Sequence, residues 1–420
     1  MAHLVQDSPE YCARTKTAFV PPTLTLREVH AAVPKHLFEK STGRSLLYVG
    51  RHVAMAAGLG VLATHMDALV ELLVQGPGAT AGVRTVLWAG YWFWASVVLT
   101  GFWTLGHERA QCGHDALFPV PAANAALGLL LHTFILTPYF SWRTTHRHHH
   151  KGTNHLDRDE TYHPATRDDL QLPPEHLAKF MDYEELVEET PLFTMYKMVL
   201  RQFLGFQLYL IHNRKGNPKY PPWTSHYKPS SLLFRPEERK YVVISDIAIA
   251  SMLLLLALWI CQTSWANVWR LYFVPWLWAH NWIVTVTYLQ HSDPTVPYYR
   301  NNQWTFLRGS LATVDRPIFG WIGRYFWHGI AHDHVAHHFF SGIPFYNLAE
   351  VTEAIKPVLG DYYYYDSTPT LYALWRSFTQ CKFIESCGDV VFFKNQYGKA
   401  ARECATDIGN HAAPVETQTL

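Results

Sequence analysis

The chain has 420 residues, a formal net charge of +1, 49% hydrophobic and 15% aromatic residues, and only 16% charged ones. Soluble domains carry about 25% charged residues, so the composition points to a protein that places much of its surface in a membrane. A net charge this close to zero supplies no basic field, which argues against nucleic acid as a partner.

Residues 1–45 read as a polar, cytosolic N-terminal segment, in which Thr25 ahead of an amphipathic run marks a helix start. The polar beginning predicts no cleavable signal peptide. Lys35, Lys40, Arg44 and Arg51 precede the first apolar stretch and set the N-terminus in the cytosol. A weak span, roughly 53–75, is interrupted by Asp67 and Glu71. A strong one, 84–105, is long enough for about 30 Å of hydrocarbon. The loop between them has no lysine or arginine from Asp67 to Gly82, as a lumenal loop should, so the chain returns to the cytosol at Gly106. A further apolar run, 116–142, contains Pro119, Pro121 and Pro138. A full crossing there would separate His114 from His146 across the bilayer, so the run reads as a re-entrant or in-plane segment.

Residues 151–240 read as a polar cytosolic lobe. Two more spans follow, roughly 242–261 and 268–290, joined by the charge-free turn QTSWAN. The remaining chain is expected to be cytosolic, with a disordered tail over 401–420. Cys12, Cys112, Cys261, Cys381, Cys387 and Cys404 show no paired spacing and read as reduced thiols. The expected fold class is an all-α integral membrane protein. Its membrane domain, 46–400, combines four transmembrane helices, re-entrant or in-plane helices and a cytosolic helical cap.

Histidine is concentrated at one level of this layout. His146, His149 and His150 form an H-x-x-H-H box, and His334, His337 and His338 repeat it. Residues three or four apart share a helix face, and neutral imidazole ligates iron, zinc or copper. His107 and His114 follow the second span, and His291 follows the fourth. Nine imidazoles are too many for one ion and fit two. Structural zinc favours mixtures with cysteine. A redox metal facing an apolar environment points to O₂ chemistry on a hydrocarbon. His65, His132, His155, His163, His280, His328 and His332 read as packed side chains, and His148 turns away from the box face. The acidic run Asp157–Glu160 fits a solvated surface or a set of groups orienting the box histidines.

At these residues the sequence resembles the membrane fatty acid desaturases, specifically the fungal oleate Δ12 and linoleate ω3 group. The likeness runs from about Pro21 to Tyr397. It is carried by LTLREVHAAVPKHLFEKS, SWRTTHRHHH, TYLQHSDPTVPYY, the stretch ATVDRPIFGWIGRYFWHGIAHDHVAHHFFSGIPFYN and LWRSFTQCKFIESCGDVVFFKN. The resemblance implies a multi-pass enzyme of the endoplasmic reticulum with both termini and the histidine boxes cytosolic. It implies two iron ions (Fe²⁺) held by the nine histidines and a membrane lipid or acyl-CoA as substrate. It also implies O₂ as oxidant, electrons from cytochrome b5 and its reductase, and room for a homo-oligomer. No H-P-G-G-type haem segment is present, so the cytochrome would be a separate protein. The implied product is an 18-carbon acyl chain with a new Δ12 or ω3 double bond.

One box departs from the pattern. The family's H-E-C-G-H appears here as His107-Glu108-Arg109-Ala110-Gln111-Cys112-Gly113-His114, as if Arg109–Gln111 were inserted. On a helix the rise between the two ligands grows from about 6 Å to about 10.5 Å. Read without a gap, Ala110 replaces the first ligand. That change leaves open a divergent relative (hydroxylase, epoxygenase, acetylenase or conjugase) and an inactive lipid-binding pseudoenzyme. A metal transporter fits less well, because it would line a path within the spans.

Overall fold

A computed structural model describes residues 2–74, 76–106, 117–186 and 189–405. Its described part is predominantly helical. Two short strands, Tyr298–Tyr299 and Val390–Val391, pair antiparallel with Tyr298 opposite Val391. The expected helix start at Thr25 is a capping box: the Thr25 hydroxyl accepts the Glu28 N–H, and Glu28 returns a bond to the Thr25 N–H.

Among the described residues three helices are long and apolar enough to cross a membrane: Thr42–Thr64, Pro77–Gly106 and Pro236–Gln262. The first begins at Thr42 and not near 53, because Ser41 caps it and its two arginines find partners at the protein surface. Arg44 lies over the Tyr346 ring and Arg51 over the Tyr325 ring, 4.2 and 4.0 Å from the centroids. This helix stops at Thr64; Asp67 and Glu71 fall in a separate helix, Met66–Leu73.

The apolar run after residue 116 forms two helices, Pro121–Phe134 and Tyr139–Gly152, bent by 108°. Such a pair is a broken span or a re-entrant loop. Carbonyls freed at the bend are satisfied from a neighbouring segment: Tyr272 Oη–H donates to Phe134 O at 2.6 Å and Trp276 Nε1–H to Ile135 O at 2.8 Å. The fourth expected span, 268–290, differs from the other three. A π-helical stretch, Trp269–Phe273, precedes Pro275, and the 18-residue helix Val274–His291 follows. With His280, Asn281, Gln290 and His291 in it, this helix does not join the three above by length and hydropathy, and most of it is buried against Pro77–Gly106 and Pro191–His212.

Close helix approach explains one glycine. A Cβ on Gly101 would lie 2.3 Å from His52 Nε2 and 2.7 Å from Phe326 O, so only glycine lets these elements meet. Ser96, Thr100 and Thr104 on the same helix donate their hydroxyls back to carbonyls three or four residues earlier. The N-terminal segment is tied to the C-terminal part of the chain. Phe19 N–H donates to Glu403 O and accepts at its carbonyl from Ala405 N–H, at 2.8 and 2.9 Å. Residues 401–405 of the expected tail are therefore hydrogen-bonded in place, and 406–420 lie outside the described residues.

Candidate metal centre

Histidine spacing on two short helices builds the centre. Tyr139–Gly152 starts after Pro138 and carries His146, His149 and His150 over its last two turns. His334–Phe339 carries His334, His337 and His338. His291 closes Val274–His291. All seven are buried. Six of them fall into two groups of three whose ligand atoms lie within 4.8 Å of one another: His146, His150 and His337, and His149, His291 and His338; His334 is in neither group but adjoins the second through His291 and His338. Each box thus contributes to both groups. The groups adjoin, since the His150 and His338 rings stack with centroids 4.2 Å apart.

The donor set fits metal ions. His291 Nε2 lies 3.2 Å from His149 Nε2 and 3.0 Å from His334 Nε2, and His334 Nε2 lies 3.1 Å from His338 Nε2. His146 and His150 bring their Nε2 atoms to 2.9 Å. A cation among these nitrogens would take lone pairs that otherwise face one another. Burial, then the facing rings of His150, His334, His291 and His149, push His338 well below its ordinary pKa. A neutral ring is the form that ligates.

On His149 and His338 the opposite ring nitrogen meets polar partners. Asp159 Oδ1 lies 2.6 Å from His149 Nδ1, and the Thr161 hydroxyl lies 3.1 Å from it. Thr153 donates its hydroxyl to His149 O at 2.8 Å and lies 3.2 Å from His338 Nδ1. The acidic run therefore divides: Asp157 and Arg158 are exposed, whereas Asp159 and Glu160 are buried. Glu160 accepts from Tyr220 Oη at 2.9 Å and Lys219 Nζ at 3.1 Å. His148 lies in neither group and sits 3.9 Å from Glu160. His107 and His114, with the stretched box between them, lie outside the described residues.

A cavity of about 400 Å³ reaches this centre. His146 and His291 form part of its wall, with Trp142, Phe206, Leu208 and Val284 as apolar lining. A larger cavity, about 970 Å³, lies among the apolar helices and touches none of the seven histidines. Reading the sequence for chemistry missed the cations of the first cavity, Lys197, Arg201, Arg214 and Lys215. The available signal was Lys197 and Arg201, four residues apart on a largely apolar helix.

With this geometry in view, similarity to known proteins is informative. The model of the family described as fatty acid desaturase matches residues 86–369. A Delta(12) fatty acid desaturase of Mortierella alpina is 40% identical over 378 residues, covering 89% of this chain and 91% of that protein. An oleate hydroxylase of Claviceps purpurea is 36% identical over 406 residues, covering 90% and 82%. An omega-6 fatty acid desaturase of Brassica juncea, named for the endoplasmic reticulum, is 35% identical over 364 residues, covering 87% and 88%.

Proposed function

The chain belongs to the fatty acid desaturase family, and from that premise we propose that it places a Δ12 double bond in an 18-carbon monounsaturated acyl chain. As a family member it is an oxidoreductase of lipid metabolism in a membrane. The observation that carries the finer reading is the joining of two imidazole groups to an apolar cavity of chain-binding character. The Mortierella relative's name supports Δ12 over ω3.

His146, His150 and His337 would hold one iron, and His149, His291, His334 and His338 would hold the other, with His107 and His114 as further ligands. Bound iron supplies the O₂-dependent oxidising power. In balance, two hydrogens leave adjacent methylenes, and with two electrons and two protons they reduce O₂ to two waters. The electron donor in this reading is cytochrome b5, at the cytosolic face of the endoplasmic reticulum.

The chain's own residues do the rest. Asp159 accepts the Nδ1–H of His149 and so leaves Nε2 as the nitrogen that would hold a metal. Trp142, Phe206 and Val284 exclude water from the reacting carbons. Tyr162 and Thr287, hydrogen-bonded at 2.7 Å, close one side of the cavity. One methylene is worth only about 0.8 kcal/mol, so the choice of carbon must come from the shape of the cavity and the anchoring of its ends.

A second reading, hydroxylation, is favoured by the likeness to the Claviceps oleate hydroxylase. Fatty acid methyl ester profiling of a yeast expressing the chain separates the two. A new dienoic acid with its second double bond at carbon 12 is expected. A hydroxy acid in its place would establish the second reading, and an unchanged profile would overturn both.

A further inference from the structure

We propose that the larger cavity, among the apolar helices and away from the histidine centre, binds a diacyl phospholipid of the leaflet opposite that centre, whose two tails fill the space beneath the bent helix pair. The inference is independent of the reaction proposed above.

The cavity holds about 970 Å³, at the upper end of the range of about 300–1,000 Å³ that ligand cavities span. Its walls come from Thr42–Thr64, Pro77–Gly106, Pro121–Phe134, Pro236–Gln262 and the π-helical stretch Trp269–Phe273. The bend makes the space. Pro121–Phe134 stops and Tyr139–Gly152 turns off by 108°, so the helix ends where the cavity begins, and Phe134, its last residue, is part of the wall. Single π-helical turns are frequent at functional sites, and this one supplies Leu271 and Tyr272 to the same wall.

Position along the helices sets the level. Thr42–Thr64 contributes from Ala56 to Thr64, and Pro236–Gln262 from Ala248 to Trp259, the C-terminal part of each. The other end of the second helix lies by the histidines, where the Thr144 hydroxyl on the box helix donates to Glu238 at 3.2 Å. From Ala248 to Trp259 a helix rises about 16 Å, half the depth of a hydrocarbon core of about 30 Å. Exposed Trp265 and Trp269, with Arg270, follow at the far end, the residue types of a membrane–water interface.

Chemistry and width select the occupant. Among the described residues no charged side chain lines the cavity, and an apolar space of this kind does not hold water. One side is open: Leu130, Leu255 and Phe134 are 67%, 61% and 40% exposed, whereas Leu99, Leu256 and Tyr272 are buried behind them. Spread over a length of about 16 Å, the volume gives a cross-section of about 60 Å². A helix with its side chains is about 10–12 Å across and needs about 80–110 Å², so a helix of a second copy does not fit. Hydrocarbon chains in contact at about 4.5 Å take about 20 Å² each, so two lie side by side with slack. Two chains joined at an interface are a diacyl lipid. Its tails would pack on Phe134 and Tyr272, and Tyr272 Oη–H holds the Phe134 carbonyl at the bend. The lipid therefore supports the turn that aims Tyr139–Gly152, with His146, His149 and His150, at the centre.

The test uses the full-length protein, stripped of lipid in a neutral detergent, and phosphatidylcholine with a diazirine near the end of one tail. Irradiation should label Met252 and Leu256, read by peptide mass spectrometry. Gly60 lines the cavity and a Cβ there meets nothing within 4 Å, so Gly60→Phe places a ring in the space, and Ala248→Phe adds a second. Together they should cut labelling at Met252 and Leu256 about fivefold or more. Gly58 on the same helix is also unobstructed but does not line the cavity, so Gly58→Phe should label like the parent. Gly60→Leu, with a residue that favours helix, keeps the test valid if the double variant folds poorly. Phosphatidylcholine added to the stripped parent should raise its unfolding temperature, and the filled variants should lose most of that rise. Labelling confined to the outward-facing Ile247 and Leu254, or labelling that the filled variants retain, overturns the site. Preferential labelling of Met252 by a sterol carrying the same group, or a cross-link there between two copies of the chain, overturns the diacyl lipid as occupant.

Discussion

Asp159 illustrates how one carboxylate organises a centre that it does not itself enter. Its Oδ1 faces His149 Nδ1, its Oδ2 accepts the Asn154 N–H at 2.8 Å, and Thr161 N–H donates to Oδ1 at 3.2 Å. The carboxylate is thus fixed before it fixes the ring. Asp159→Asn keeps the shape and removes the charge, and partners of this kind change metal affinity by about 10–100-fold. Iron per chain, measured after dialysis against a chelator, should fall well below that of the parent, while His148→Ala should retain it. Full iron retention by Asp159→Asn would show that the carboxylate does not tune the ligand. The histidines were legible in the sequence because their spacing is the signal. Asp159 was not separable from its charged neighbours, because only the left-handed turn at Asn154, φ 53°, folds the last two residues of the run inward.

At the scale of elements, the chain behind His291 is anchored by charge where apolar packing would be expected. Arg316 Nη2 lies 2.5 Å from Asp293 Oδ2, and its Nη1 pairs with Asp366. Arg376 adds a 2.5 Å contact to Asp366 and another to Asp7 from the N-terminal segment. Burial alone would raise the Asp366 carboxyl, but Arg316 and Arg376 hold it well below the usual carboxylate range. Removing one partner from such a buried network costs about 3–5 kcal/mol. Arg316→Met should therefore lower the unfolding temperature in detergent by many degrees. A shift within error would mean that Arg376 alone compensates both carboxylates. This network joins four distant segments, and no local pattern announces it. The long apolar helices were legible because length and composition define them. The first helix extends ahead of the apolar stretch, because aromatic rings let it run through Arg44 and Arg51.

For the whole molecule, the open question is whether every histidine group arrives at the same place. The two intact boxes converge because the bend at 135–138 turns Tyr139–Gly152 back toward the end of Val274–His291. The helix Pro77–Gly106 ends at Gly106, where a Cβ would lie 2.4 Å from His132, and the described chain resumes at the fully buried Leu117. Gly106 and Leu117 flank the stretched box, and His107 to His114 lie outside the described residues. With seven residues from His107 to His114 instead of four, a helical path separates the ligands by about 10.5 Å along its axis, against about 6 Å. Deleting Arg109–Gln111 restores the shorter spacing. In yeast the deletion form should give a larger dienoic fraction per unit of protein than the unaltered chain, with protein measured by immunoblot so that a folding defect is not mistaken for slow chemistry. Equal fractions would mean that the three extra residues loop out of the ligand path. A smaller fraction at equal protein level would mean that His107 ligates from its longer spacing and that the deletion pulls it away.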